Sequence, residues 1–333
     1  MPVHVLGPGV SRYRFQPRLD AWVKSRAAAF DAVIVNGVWR YLGQGIRNGL
    51  RRLGVPYFII PHSMLNPWFQ ETTSFSSLSK IAMWRLLEWK VLRDARAVLF
   101  TCEEERRMAR KAYSPYVCTD DVVTVVGTSI PVACSQQTEF VSCYPHLRDK
   151  RLIIYLSRLH PMKGCDLLLE AFSRICKAHP DLHLVIAGPA EEGFVAMLHA
   201  LTKRRSIEHR VTWTGPLYGE MKWAAFRAAA LFALPSHCEA FPVAVLEALG
   251  ARVPALITDK VNIWRDVVSE NAGFVDTDTI EGTVRSLQKW LGMSEAELQV
   301  MRNNAHKCFT EHFEATSNAL QFLRGLQRHG VCA

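Results

Sequence analysis

The sequence predicts an α/β protein built from two doubly wound parallel sheets. Short apolar runs, such as DAVIVNG at 31–37 and LHLVIAG at 182–188, alternate with amphipathic helical patterns along nearly the whole chain. Polar residues do not alternate with the apolar ones in these runs, which is typical of strands buried on both faces. The chain of 333 residues is long for one domain and leaves room for two.

The elements follow one another as strand, helix, strand. In the first half, QGIRNGLRRLG and SKIAMWRLLEWKVLRDAR are predicted helices between strands. The pattern restarts at RLIIYLSRL, which is followed by the helix GCDLLLEAFSRICKAHP. The predicted strands lie at 31–37, 56–62, 97–102, 151–159, 182–188, 211–215, 231–236 and 254–259. Such alternation predicts parallel strands joined by crossover helices.

A polar, irregular segment at 133–150 is the predicted linker. We therefore expect an N-terminal domain at 1–140 and a C-terminal domain at 150–310. Residues 311–333 are expected to form a C-terminal helix that could pack back on the N-terminal domain.

The composition limits the classes of protein and of binding partner that fit this chain. The chain has no run of eighteen apolar residues and its N-terminus does not have the pattern of a signal peptide. Nine cysteines stand singly, without metal-ligand spacing, which indicates reduced thiols and a cytoplasmic protein. Residues 1–150 hold 20 Lys and Arg against 12 Asp and Glu. This excess of positive charge favours an anionic partner, a phosphorylated substrate or a phospholipid headgroup before nucleic acid.

Two cations follow the first strand of the second half. The segment SRLHPMKG places Arg158 and Lys163 in a loop that leads into a helix, and Gly164 allows a tight turn there. Open parallel sheets bind ligands beyond the carboxyl ends of their strands. A planar guanidinium and a mobile ammonium suit a diphosphate. The spacing alone also fits a solvated charged loop.

Two glutamates follow the apolar run LFALPS at 231–236. Glu239 stands in the strand-end loop, where its carboxylate could accept hydrogen bonds from sugar hydroxyls. Glu247 lies in the apolar helix that begins near Pro242, and a carboxylate there needs an ion pair, water or a ligand such as a ribose diol. An acid before the helix and an ordinary helix salt bridge explain the same spacing equally well.

In combination these segments resemble a known family. SRLHPMKG, the glycine turns AGP and TGP, and EAFPVAVLEALGARVPALITD follow one another as in the C-terminal domain of the retaining glycosyltransferases of family 4. The resemblance covers nearly all of residues 150–275 and implies the GT-B fold, two Rossmann-like domains facing across a cleft. It implies that Arg158 and Lys163 hold the diphosphate of a nucleotide-sugar, that Glu239 meets the sugar hydroxyls and that Glu247 binds the ribose.

The resemblance implies further site residues. Phe241 and Pro242 would line the phosphate and sugar loop, and Gly215 in TGPLYG would lie near the nucleotide. PYFIIPHSML resembles the family's strand that ends in His-Gly-Met-Leu, so His62 is a predicted catalytic residue beside the donor sugar, together with Glu239. Ser63 stands where the family usually has glycine.

The N-terminal domain is predicted to be incomplete. Relatives usually begin with a strand, a glycine-rich turn and a helix, but only about thirty residues precede DAVIVNG here, about the length of one βαβ unit. We interpret VHVLGPG at 3–9 as a later strand of that domain. The predicted absence of this opening segment puts enzymatic activity in question.

The predicted reaction is transfer of a hexose or related sugar from a nucleoside diphosphate to a sugar or lipid-linked hydroxyl, with anomeric retention, in polysaccharide or glycolipid biosynthesis. No metal or other cofactor is expected, because cationic side chains replace the ion. Two alternatives stay open: a non-catalytic nucleotide-binding relative that acts as a partner protein, and a nucleotide-sugar epimerase.

Two further features of the sequence are weaker signals of function. Glu103 follows a strand, but three adjacent acids more often mark the first turn of a helix. Trp84 and Trp89 lie among Lys and Arg in one helix, which would suit peripheral binding to a membrane surface at its cytoplasmic face. Packing of that helix in the core is the favoured interpretation.

Overall fold

The computed structural model describes residues 3–66, 77–124, 127–131, 137–190 and 192–331. The chain divides into two compact units, one made of Met1–Val126 with Ser317–Ala333 and the other of Gly127–Thr316. Each unit contains one parallel sheet with helices packed on it. The predicted fold class, α/β with two doubly wound parallel sheets, is confirmed.

The first unit has a four-stranded sheet in the order β1-β2-β3-β4. Its strands are β1 Val33–Asn36, β2 Tyr57–Ile60, β3 Ala97–Phe100 and β4 Asp121–Val123. The first three lie within predicted strands. The fourth, which has three residues and begins with an aspartate, was not predicted.

The helices of the first unit pack mainly on one face of this sheet. Alternate residues of the strands face it, and they include Tyr57, Ile59, Val98 and Phe100. The helices are α1 Leu19–Arg26, α2 Tyr41–Leu50, α3 Ser77–Met83, α4 Trp89–Asp94 and α5 Glu103–Ala112.

The predicted helix SKIAMWRLLEWKVLRDAR forms, with a π-helical turn at Trp84–Glu88 between α3 and α4. Trp84 is only 1% exposed and stacks on Tyr113, so this tryptophan belongs to the core and not to an exposed interfacial face. Trp89 is half-buried, and the guanidinium of Arg93 lies 4.8 Å from the centre of its ring.

The prediction of a strand at VHVLGPG is wrong. Residues 3–9 form no strand, and Val3 and Val5 are each 87% exposed. The segment is held instead by the side chain of Gln16, whose Nε2 donates to the carbonyl oxygens of Leu6 and Gly7. The proline and two glycines explain the difference, since proline lacks an N–H and glycine is disfavoured within strands.

The second unit has a six-stranded parallel sheet in the order β10-β9-β8-β5-β6-β7. The strands are β5 Arg151–Leu156, β6 Leu182–Ala187, β7 Val211–Gly215, β8 Ala229–Leu234, β9 Ala255–Thr258 and β10 Gly273–Asp276. All strands predicted for this half form. The order of connection reverses between β5 and β8, which makes their carboxyl ends the topological switch point of the sheet.

The helices that surround this sheet alternate with its strands, as predicted. They are α6 Gln137–Cys143, α7 Cys165–Ile175, α8 Glu192–Arg204, α9 Gly219–Ala228, α10 Val243–Gly250, α11 Trp264–Ser269, α12 Ile280–Leu291 and α13 Glu295–His312. A last helix, α14 Ala315–Arg328, brings the chain back to the first unit. There Leu326 packs with Phe58, Ile60, Ala97 and Leu99, so α14 covers the second face of the first sheet.

The change of unit lies between Val126 and Gly127, before the predicted linker. Residues 132–136 of the segment around that linker lie outside the described residues, and α6 follows directly. Phe140 is fully buried in α6, which packs on α9, and this apolar anchor places the segment within the second unit.

Within the described residues, no helix combines the length and the apolar character needed to cross a bilayer. The seven cysteines that the structure describes are free thiols.

Candidate functional site

The residues predicted to bind a donor lie at the switch point of the second sheet. Arg158 and Lys163 follow β5, and Glu239 follows β8, the neighbouring strand. Lys163 Nζ forms a salt bridge with Glu239 Oε2, and each side chain is 13% exposed. The structure therefore brings together two residues that are 76 positions apart in the sequence.

Two glycines let these loops approach the neighbouring strand ends closely. Gly164 has φ +65°, and a Cβ there would lie 2.0 Å from the carbonyl oxygen of Pro235, at the end of β8. Gly188, after β6, has φ +149°, and its Cβ would lie 1.8 Å from the carbonyl oxygen of Ser157. Only glycine fits either position, so the loops after β5, β6 and β8 pack backbone against backbone.

Backbone hydrogen bonds fix the loop that carries Glu239. Its N–H donates to the carbonyl of Lys260 (3.1 Å) and its carbonyl accepts from the N–H of Asn262 (3.0 Å). No described residue accepts a hydrogen bond from the N–H of Ala240 or of Phe241. Two donors just before the start of α10 are thus left for an anionic ligand.

The side chains around Glu239 differ in exposure. Pro242 is buried, Phe241 is half-buried, and Cys238 is buried beside the glutamate. Burial, together with the Glu239 carboxylate, raises the pKa of Cys238 to about 11. The Cys238 side chain is therefore a neutral thiol at neutral pH and adds no charge to the site.

Arg158 is exposed, and its guanidinium has no partner among the residues that the structure describes. Its backbone is held, because the hydroxyl of the buried Tyr155 donates to the Arg158 carbonyl at 3.1 Å. Gly215 ends β7 with φ +69°, and its carbonyl accepts the N–H of Gly188 at 3.0 Å. Arg158 is the unpaired cation of this loop and Lys163 the paired one.

The ion-pair partner of Glu247 is Lys222, a residue that was not predicted from the sequence. Glu247 is 8% exposed on α10, and its Oε1 accepts from Lys222 Nζ of α9 at 2.7 Å. The Lys222 ammonium also lies 4.8 Å from the ring centre of Trp223. The acid on the apolar helix therefore has an ion-pair partner. No spacing rule could identify Lys222, which is 25 residues away on another helix.

In the first unit, His62 stands at the carboxyl end of β2, as predicted. Its Nε2 lies 2.8 Å from Oδ1 of Asn36, the last residue of β1. His62 and Ser63 have φ of +51° and +56°, a left-handed conformation that is uncommon for residues other than glycine. Because His62 is exposed and its neighbour Ser63 is 1% exposed, the turn presents the imidazole to solvent.

Glu105 holds this turn, and it too was missed. One carboxylate oxygen accepts the N–H of Ser63 at 2.5 Å, and the other accepts the N–H and the hydroxyl of Thr101 at 2.8 and 2.7 Å. Glu105 is 3% exposed, so one buried carboxylate joins the ends of β2 and β3. The weaker candidate, Glu103, is exposed in the first turn of α5 and pairs with Arg106.

Two groups of side chains in the second unit offer metal ligands. Within the described residues, Glu270, Glu311 and His312 bring ligand atoms within 4.8 Å of one another, but Lys307 Nζ already lies 3.0 Å from Glu270. In the sequence Asp-Thr-Asp at the end of β10, Asp276 pairs with Arg285 and Asp278 with His237. These carboxylates already have side-chain partners within the protein.

The paired cations and carboxylates of the second unit lie at the switch point of a doubly wound sheet, the place where open α/β sheets bind their ligands. Residues 138–307, just over half of the chain, match the family described as Glycosyl transferases group 1. Residues 1–126 match the Glycosyl transferase 4-like domain. The chain belongs to the Glycosyl transferases group 1 family.

Individual relatives are distant. The chain is 27% identical to the alpha-D-kanosaminyltransferase of Streptomyces kanamyceticus over 231 residues, 68% of this chain and 58% of the relative. It is 28% identical to the mannosylfructose-phosphate synthase of Agrobacterium fabrum over 48% of this chain and 37% of the relative. The chain thus spans less than two thirds of the length of these curated relatives.

Solved structures share the fold. The sucrose-phosphate synthase of Thermosynechococcus elongatus matches 97% of this chain and 81% of its own with a TM-score of 0.78 and 16% identity. HepE of Anabaena, solved with UDP and glucose, matches 92% of this chain and 80% of its own with a TM-score of 0.75 and 17% identity. The GT-B fold predicted from the sequence is confirmed by these glycosyltransferase neighbours.

Proposed function

We propose that this protein transfers a sugar from a nucleoside-diphosphate sugar to a hydroxyl group, with retention of the anomeric configuration. The observation that carries the proposal is the salt bridge between Lys163 and Glu239 at the switch point of the second sheet, beside the unpaired guanidinium of Arg158. Family membership supports the reaction class. HepE, which shares the fold, was solved with UDP and with UDP-glucose, which supports the donor class.

The ion pair suggests how the donor is taken up. A diphosphate that approaches Lys163 competes with the Glu239 carboxylate for the ammonium group. Once Lys163 turns to the phosphate oxygens, Glu239 has free lone pairs to accept hydrogen bonds from the sugar hydroxyls. The N–H groups of Ala240 and Phe241 and the guanidinium of Arg158 supply further donors to the diphosphate. The exchange of the Lys163 partner from Glu239 to the diphosphate thus lets the protein contact both the diphosphate and the sugar of the donor.

The proposed reaction needs no charged side chain besides Arg158, Lys163 and Glu239. The bond between the anomeric carbon and the diphosphate oxygen breaks, and the acceptor oxygen attacks from the same face. The acceptor proton passes to the departing diphosphate. Arg158 and Lys163 stabilise the negative charge that grows on that diphosphate, which lowers the barrier in the way that fixed donors stabilise an oxyanion. We propose a sugar hydroxyl, free or lipid-linked, as the acceptor.

The remaining residues have supporting roles in this proposal. Phe241 and Pro242 shape the sugar and phosphate loop, and Gly215 leaves room for the nucleotide at the end of β7. Glu247 would accept from the ribose diol with one oxygen while Lys222 keeps the carboxylate paired. His62 is proposed to act beside the donor sugar, as its resemblance to the family's His-Gly-Met-Leu segment implies. The hydrogen bond between the His62 ring and Asn36 fixes its orientation.

Calorimetric titration with UDP, GDP and ADP tests the donor site. The double variant with Arg158→Ala and Lys163→Ala should lose at least about a hundredfold in affinity for the nucleotide that wild type binds, because two charge-assisted contacts disappear. The double variant with Lys203→Ala and Arg204→Ala removes the same charge from exposed positions at the end of α8 and should bind like wild type.

Unchanged affinity in the Arg158 and Lys163 variant would contradict the donor assignment. A second measurement separates transfer from binding alone: release of nucleoside diphosphate from a panel of nucleotide-sugars. Tight binding without release from any donor, in the presence of a panel of sugar acceptors, would favour the nucleotide-binding partner protein. Interconversion of two donors without release would favour the epimerase.

A further inference from the structure

A cavity of about 550 Å³ opens at the amino ends of β2 and β3 in the first unit. Its walls come from the end of α2, the segment that leads into β2, the end of α4 and the turn after α14. Three arginines line it, namely Arg47, Arg51 and Arg96. We call it the arginine cavity. Its volume lies within the range of small-molecule sites.

The charges around the arginine cavity are unbalanced. Asp94 is the one carboxylate among its lining residues, and it pairs with Arg47 at 2.6 Å and with Arg93, outside the lining, at 2.6 Å. These two guanidinium groups lower the pKa of Asp94, with the hydrogen bond from Arg93 as the main cause. The single carboxylate is thus shared between two arginines and leaves positive charge over.

Arg51 and Arg96 keep donors free for a ligand. The guanidinium of Arg51 has no partner within the part of the chain that the structure describes, and Arg51 is exposed. Arg96 uses Nε to donate to the His329 carbonyl at 3.0 Å, which leaves the two terminal nitrogens of its fork. Both side chains line the same cavity, so their free N–H groups are available to one anion.

The favourable interaction of a cation with the C-terminus of a helix explains the positions of only some of these arginines. Helices α2 and α4 end here with their partially negative C-termini, and a cation in the last turn of a helix is favourable. Arg47 occupies the last turn of α2 and Arg93 that of α4, and both also pair with Asp94. Arg51 lies beyond the end of α2 and Arg96 directly before β3, so neither is in a last turn.

The amino-acid composition of the first unit also favours an anionic ligand. Residues 1–126 and 317–333 hold 20 Lys and Arg against 10 Asp and Glu, whereas the rest of the chain holds 20 against 21. The charge excess found in the sequence thus belongs to the unit with the arginine cavity, and not to the unit with the proposed donor site. The proposed donor site does not account for it.

We propose that the arginine cavity binds a phosphate monoester dianion, either the headgroup of an anionic lipid or a free sugar or polyol phosphate. The lining residues carry a formal charge of +2 with His329 neutral, which matches a dianion. The forked guanidinium groups of Arg51 and Arg96 suit phosphate oxygens. This site is at the amino ends of the strands, whereas His62 is at the carboxyl end of β2, so the cavity is separate from the proposed reaction site.

The test uses the full chain with Arg158→Ala and Lys163→Ala, so that binding at the proposed donor site is removed. One arm titrates glycerol 3-phosphate by calorimetry, and another measures cosedimentation with phosphatidylcholine vesicles with and without phosphatidic acid. Arg51→Gln is the test variant in this background. Arg52→Gln is the matched control, because Arg52 is the exposed neighbour of Arg51 and lies outside the cavity lining.

We expect saturable binding at one site, weakened about tenfold by Arg51→Gln and unchanged by Arg52→Gln. Weakening in the first arm assigns the site to a free phosphate ester, and weakening only with phosphatidic acid assigns it to a lipid headgroup. Equal weakening by the two variants would overturn the proposal, since it would show general attraction to a basic surface. Absence of saturable binding in both arms would also overturn it.

Discussion

The two units build the carboxyl ends of their sheets differently. In the second unit, long side chains form ion pairs, Lys163 with Glu239 and Lys222 with Glu247. In the first unit, the Glu105 carboxylate accepts two backbone N–H groups and one hydroxyl, and His62 lies beside Asn36. An ion pair between side chains can exchange its partner for a ligand. The Glu105 network cannot do so as readily, because two of its three donors belong to the backbone.

This difference separates effects on binding from effects on folding. Changes to the ion pairs of the second unit should alter ligand affinity, because these side chains are the proposed ligand contacts. Changes to the buried network of the first unit should alter both stability and the position of His62. The predictions below test this distinction, in order of decreasing effect.

Gly164→Ala should have the largest effect. The added methyl would lie 2.0 Å from the Pro235 carbonyl, in a backbone conformation with φ +65° that alanine disfavours. We expect a loss on the order of 3 kcal/mol in the free energy of unfolding by urea, because the loops after β5 and β8 must separate. Loss of the Lys163–Glu239 salt bridge should follow, and with it loss of nucleotide affinity.

Gly193→Ala is the control for this change. Gly193 lies in α8 with open space around its position, so alanine should raise stability slightly there. If the two glycine variants unfold at the same urea concentration, the close packing at the switch point is not what holds the loops.

Glu105→Gln should cost on the order of 2 kcal/mol. Three donors converge on the two oxygens of Glu105, whereas an amide has one oxygen and turns an N–H₂ group toward a donor, so at least one buried donor loses its partner. Urea unfolding measures the loss. The histidine resonances of His62, followed by NMR, should shift as well, because the turn at His62 and Ser63 is released.

Glu103→Gln is the matched control, two residues away and exposed in the same first turn. It should leave both the unfolding curve and the His62 resonances near those of wild type. A loss of stability in Glu105→Gln without any shift of the His62 resonances would show that the carboxylate does not position the histidine.

His183 should make stability depend on pH. It is 4% exposed in β6, and its pKa is lowered to about 4, mainly by burial and also by the nearby His146 and Arg210. The unfolded chain binds a proton at His183 below about pH 6.5, and the folded chain does so only near pH 4. The stabilisation is therefore complete above pH 6.5 and is lost as the pH falls toward 4.

The expected loss of stability from His183 is on the order of 2 kcal/mol between pH 7 and pH 4, measured by urea unfolding at several pH values. His183→Gln should flatten this part of the curve, and His199→Gln, which alters an exposed histidine, should not. An unchanged slope in His183→Gln would assign the acid sensitivity to other groups.

The sequence predicted the strands of the second sheet better than the contacts between its side chains. The predicted strand VTWTG is β7 to the residue, Val211–Gly215. Lys222 was missed because an ion pair between two helices depends on their packing, and packing has no signature in sequence spacing.

The three adjacent acids of α5 show that sequence spacing also does not predict which side chains of one helix are buried. Which of Glu103, Glu104 and Glu105 faces the strand ends is decided by how α5 lies on the sheet. Glu105 is buried there, and Glu103 points to solvent. VHVLGPG was predicted to be a strand, but its proline and two glycines disfavour one, and residues 3–9 form none.

Removal of metal ions should have the smallest effect, and it tests the role given to the cations of the second unit. If Arg158 and Lys163 neutralise the diphosphate, an excess of EDTA should change neither nucleotide affinity nor release of nucleoside diphosphate by more than about twofold. The thermal unfolding midpoint, measured in the same buffers, is the control for an effect on folding. Loss of activity in EDTA that Mg²⁺ or Mn²⁺ restores, at an unchanged midpoint, would assign the neutralisation to an ion. The Lys163–Glu239 pair would then be a structural contact, like the Glu105 network of the first unit.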